Sequence, residues 1–91
     1  MPVPTRVAIA RRVIHNLSII SGFAEGGIRE NQELAADLGM TEDLRGALAK
    51  GFQKIARGFL PTARVTKTEC KQLKTVAAAI DLVFARAGGV A

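Results

Sequence analysis

Three stretches of this chain repeat apolar side chains at helical spacing, and glycine or proline closes each of them. Punctuation of that kind restricts the chain to a set of short helices packed on one another. The first stretch runs from about Thr5 to Phe23. Its Val7, Ile9, Ala10, Val13, Ile14, Leu17 and Ile20 share one broad face, opposite Arg11, Arg12, His15 and Ser18, before Gly22, Gly26 and Gly27 break it. The second is predicted to start at Thr41, whose hydroxyl can accept from the first unpaired amides of a helix. Glu42 and Asp43 follow against the positive helix end. Leu44, Leu48, Phe52, Ile55 and Phe59 then fall within an arc of roughly 80°. Ala47, Gly51 and Gly58 run beside that arc as a small-residue strip suited to close approach of a neighbouring helix, and Pro61 ends the segment. The third stretch opens on Thr66-Lys67-Thr68-Glu69, a capping box with Val65 and Cys70 as its hydrophobic staple. It continues through Leu73, Val76, Ala77, Ile80, Val83, Phe84 and Ala87 to Gly88-Gly89. With no alternating pattern anywhere, the fold class reads as all-α.

The 91 residues allow one domain, spanning 1–91, and 48% of them are apolar, enough for a single core. The only aromatic residues are four phenylalanines, so the core is expected from Val13, Leu17, Ile20, Leu34, Leu44, Leu48, Phe52, Ile55, Leu73, Val76, Ile80 and Phe84. A lone cysteine, Cys70, excludes an internal disulfide and reads as a small core residue. The Met-Pro-Val-Pro start has no signal-peptide pattern, and no run approaches the roughly 20 apolar residues of a membrane span. The expectation is a soluble, cytoplasmic protein.

Charge is segregated along the chain. The net charge is +5, yet residues 25–43 hold six acids against Arg29 alone. Residues 1–24 hold three arginines and no acid, and residues 44–75 hold eight bases and only Glu69. A basic protein so divided can steer toward an anionic partner.

The linker "GIRENQELAADLG" (Gly27 to Gly39) places Ile28, Leu34 and then Asp37-Leu38-Gly39 at separations that resemble the loop between the first two helices of an acyl carrier protein. Leu60-Pro61 resembles the Ile-Pro that closes that family's second helix, and "QLKTVAAAIDLV" (Gln72 to Val83) its last helix. The length between Pro61 and Thr75 is similar to that of variant carriers that deliver very long acyl chains to lipid A. The resemblance implies a small acyl-carrier-protein-like bundle of three main helices plus a short helix around residues 31–38. It also implies a place in fatty-acid, lipid or polyketide assembly. Between the second and third helices it puts either an acyl-holding cleft or a filled core.

Two departures redirect the functional expectation. Counting from Asp-Leu-Gly, Thr41 falls on the family's aspartate and Glu42 on the serine that carries 4′-phosphopantetheine. Glutamate has no hydroxyl to modify, so no cofactor is expected, and the only serines, Ser18 and Ser21, lie on the first helix. The family's second helix is acidic, whereas this one offers Arg45, Lys50, Lys54 and Arg57 as partner-binding residues. Like charge would repel the usual enzymes of a carrier. A non-catalytic adaptor is expected instead, docking on a protein with an acidic surface: a true acyl carrier protein or its enzyme.

Two other readings compete. Residues 32–57, beginning "QELAADLGMTEDLRGALAKGF", resemble a helix-turn-helix that would make nucleic acid the partner, although Glu42 and Asp43 would lead its recognition helix toward phosphate. "IHNLSIISGFAE" (Ile14 to Glu25) resembles the segment following the phosphorylated histidine of sensor kinases, with His15 as the phosphoacceptor. Ordinary enzyme chemistry finds little footing. There are no clustered metal ligands and no glycine-rich phosphate loop, and Glu42 and Asp43 diverge as helix neighbours.

Overall fold

The structure, a computed structural model, describes residues 4–89; the Met1–Val3 start and the last two residues lie outside it. Among the described residues it is an all-α bundle of four helices: α1 (Arg6–Ser21), α2 (Glu42–Arg57), α3 (Lys67–Lys71) and α4 (Val76–Arg86). Every one of the four begins at a threonine whose side-chain oxygen accepts from the helix's first turn. Thr5 takes Ala8 N–H, Thr41 takes Leu44 N–H, Thr66 takes Glu69 N–H and Thr75 takes Ala78 N–H. Gly22 ends α1 in the left-handed region at φ 81°, returning its own N–H to Ser18 O.

Two expectations about helix boundaries are corrected. Residues 31–38 form turns, not a short helix. Leu34 N–H, which a helix would send to Glu30 O, goes instead to Lys74 O at 2.8 Å, and Glu30 O accepts from Ala77 N–H at 2.9 Å. The third predicted helix is divided at residues 72–75, so the short helix of the bundle is α3. Lys74 O is taken by the linker, and Thr75 restarts the helix with a cap of its own. Val76 N–H donates to Gln32 O at 3.0 Å, and a single antiparallel bridge joins Glu33 to Thr75. The linker thereby satisfies amides that the start of α4 would otherwise leave without partners.

Against this frame the core closes around Phe52, Ile9, Leu17, Leu34, Met40, Leu48 and Ile80, all essentially without exposed surface. Val13 and Val76 are buried as expected, whereas Ile20, Ile55, Leu73 and Phe84 pack from the margin. Leu44 departs from expectation at 37% exposed: it lies in the first turn of α2, ahead of the covered stretch from Gly46 to Ala56. Cys70 is fully buried, and burial pushes its thiol up to about 11, with the Glu69 charge adding to the effect. It behaves as core, in line with the staple reading.

Two ion-pair clusters pin the helices to one another. Arg6 reaches Glu30 at 2.7 Å and Asp81 at 3.0 Å, tying α1 to the linker and to α4. Arg86 of α4 forks onto Glu69 and also donates to Arg64 O, while Glu69 closes the capping box of α3. The Arg86 guanidinium, with help from the Thr66 N–H and hydroxyl, holds the Glu69 carboxyl below its ordinary value of 4.5 despite partial burial. A carboxyl depressed in the folded state stabilises the fold above its unfolded pKa, and that contribution disappears as pH falls through the folded one. The stability cost of Arg86→Gln, measured by urea unfolding, should therefore be larger at neutral pH than in acid. Equal costs at both would show that the pair does not link the two helices energetically.

Candidate docking cleft

Glycine decides how closely α1 and α2 approach. A methyl group at Gly51 would overlap the Asn16 carboxamide, and one at Gly58 would come within 3.9 Å of the Arg12 guanidinium. Asn16 thus faces Gly51 while Arg12 faces Gly58, which makes the two helices antiparallel. Of the predicted strip only Gly51 makes the close approach: Gly58 leaves ordinary contact distance to Arg12, and Ala47 is exposed toward α3. A third glycine, Gly46, is crossed by the aliphatic stem of Lys71 from α3, whose Cε would lie 3.0 Å from a methyl there. The carrier resemblance marked the space between the second and third predicted helices for an acyl chain. A polar recess of about 160 Å³ lies there between α2 and α3, and a cavity of about 590 Å³ is bordered by Arg45 of α2, by Lys71 to Lys74 and by Glu33 and Ala35 of the linker.

A second opening of about 590 Å³ lies between α1 and α2. Arg11, Arg12 and Lys54 bring cations to it, and Gly51, Ile55 and Gly58 line it from α2. The Arg12 guanidinium sits 5.6 Å from the centroid of the Phe59 ring, a cation–π contact that holds it over the C-terminal end of α2. At the edge of the opening, His15 Nδ1 and Glu25 Oε2 are 3.0 Å apart. Asn16 Oδ1 is buried at this helix crossing with no hydrogen-bond partner, the only side-chain atom so placed among the described residues.

The four cations singled out by sequence separate into two pairs. Arg45 is half-buried and donates from Nε to Lys71 O at 3.2 Å and from Nη1 to Met40 O at 2.8 Å. Arg57 donates from Nε to Ala63 O at 2.9 Å, holding the turn after Pro61. Both brace the fold. Lys50 and Lys54 are exposed one turn apart on α2 and enter no ion pair among the described residues; the same is true of Arg11 and Arg12. Sequence reasoning saw Arg11 and Arg12 only as the polar face of α1. The signal that could have joined them to Lys54 was the Gly51–Gly58 strip, which brings the two helices together.

Thr41 Oγ1 is engaged as the α2 cap at 3.3 Å from Leu44 N, and Glu42 is the exposed first residue of that helix. Ser18 donates to Phe23 O, and Ser21 accepts from Phe23 N–H. In residues 32–57 only α2 is helical, so no pair of helices flanks Gly39 as a helix-turn-helix requires. No helix among the described residues is long and apolar enough to cross a membrane. No family model, curated protein or solved structure matches the chain significantly.

Proposed function

We propose that this chain is a non-catalytic, acyl-carrier-like adaptor that docks an acidic protein surface through the paired basic faces of α1 and α2. The observation that carries the reading is that Arg11, Arg12 and Lys54 border one opening, with Lys50 exposed one turn before Lys54, and none of the four enters an ion pair among the described residues. Cations left unpaired on adjoining helix faces cost little in water and raise the rate and selectivity with which an oppositely charged surface is met. Two further features support the carrier-like part of the reading. The element order is long, long, short, long, with the Asp37-Leu38-Gly39 linker before α2, and the one hydroxyl near the attachment position, on Thr41, is committed to a cap. The partner surface that suits this face is an acidic one, such as a true carrier protein or its enzyme would present, and the reading is of an adaptor for fatty-acid, lipid or polyketide assembly.

The test is calorimetric titration of this protein with an acidic acyl carrier protein at low and at high salt. Binding is expected at low salt and should weaken as salt rises. Reversing both charges, Lys50→Glu with Lys54→Glu, should weaken it about 100-fold, about 1.4 kcal/mol for each tenfold step. Incubation with a promiscuous pantetheinyl transferase should leave the intact mass unchanged. Binding indifferent to charge reversal, or tighter retention on duplex DNA than on the acidic protein, overturns the proposal, as does a gain of one prosthetic arm.

A further inference from the structure

The floor of the α1–α2 cleft retains two features that each lower the stability of the free protein. Gly51 occupies the middle of a helix, where alanine is preferred, and Asn16 Oδ1 is buried without a partner. Packing alone would favour an apolar side chain in place of Asn16, whereas Gly51 is required by the Asn16 carboxamide that lies on it. Such concessions at one place are characteristic of sites kept for a ligand. The groups around the floor define what would be taken. Arg12 is already positioned over Phe59, Lys54 stands on the opposite helix, and Ile55 supplies an apolar wall. Asn16 is only half-buried as a residue, so its amide can turn about Cβ–Cγ to present the oxygen to an occupant. Glu25 also borders the opening, but its carboxylate is turned to His15, leaving the anion-attracting side to Arg11, Arg12 and Lys54.

We propose that the cleft receives a single carboxylate side chain from an acidic protein segment, seated between Arg12 and Lys54 beside Asn16. A backbone N–H of the same segment supplies the partner that Asn16 Oδ1 lacks. The inference rests on the adaptor reading and adds to it an inserted residue where that reading needs only a charged surface.

The test uses the full chain and a fluorescently labelled polyglutamate peptide, blocked at both ends, with binding followed by anisotropy and folding by thermal melts. Asn16→Ala should melt no lower than the parent protein yet bind the peptide about tenfold more weakly. Gly51→Ala puts a methyl into the Asn16 carboxamide and displaces it, and should weaken binding to a similar extent without changing its salt dependence, because no charge is altered. Lys50→Gln, away from the floor, should reduce binding chiefly through the salt-dependent part. If Asn16→Ala and Gly51→Ala bind as tightly as the parent while Lys50→Gln and Lys54→Gln bind less tightly, insertion is disproved and the adaptor reading survives. If none of the four weakens binding, both fail.

Discussion

Phe52→Ala should lower the unfolding free energy by about 3–5 kcal/mol, the cost of removing a buried aromatic ring and leaving a cavity. Phe52 is the largest side chain with no exposed surface, and it stands on α2 at the centre of the cluster formed with residues of α1, α4 and the linker. A domain of this size has about 5–15 kcal/mol of stability in all, so the loss is a large share of it. Urea unfolding followed by circular dichroism gives the measurement. A loss below about 1 kcal/mol would mean that the helices do not close around this ring in solution.

Arg45→Ala should cost about 2–3 kcal/mol, because hydrogen bonds from a charged donor are each worth about 1.5–3 kcal/mol and part of that is recovered by water at this half-buried site. The side chain joins Met40 O, just before α2, to Lys71 O at the end of α3. Lysine should rescue poorly, since one ammonium cannot reproduce the planar fork that reaches two carbonyls. Urea unfolding of the alanine and lysine variants checks the size and the lack of rescue. The polyglutamate titration checks the role, for Arg45→Ala should weaken binding far less than Lys54→Gln. A fully stable Arg45→Ala that loses peptide binding would return Arg45 to the docking surface.

Local signals made much of the architecture legible. The caps at Thr41 and Thr66 and the stop at Gly22 are written within a few residues, as are the apolar faces of α1 and α2. The break at residues 72–75 was not, because its cause lies some forty residues away: Leu34 takes the carbonyl of Lys74 that a continuous helix would have used. Thr75 before Val76 is the one local trace of it, a capping residue inside an otherwise regular pattern. Met40 and Ile9 joined the core without being among the residues expected there, Ile9 although it lay on the apolar face of the first helix, since burial depends on which part of a face a neighbour covers. At the candidate site, charge type identified Lys50 and Lys54. It could not distinguish them from Arg45 and Arg57, because nothing in an arginine's sequence position says that a carbonyl waits within reach.

The linker's bonds to α4 have a dynamic consequence. Glu30, Gln32 and Leu34 are held by the same few backbone contacts that terminate α4 at its beginning. Breathing of the roughly twenty residues between α1 and α2 and fraying of the start of the last helix are therefore one motion. Any binding event that stiffens either must quieten the other, although the two are distant neighbours along the chain.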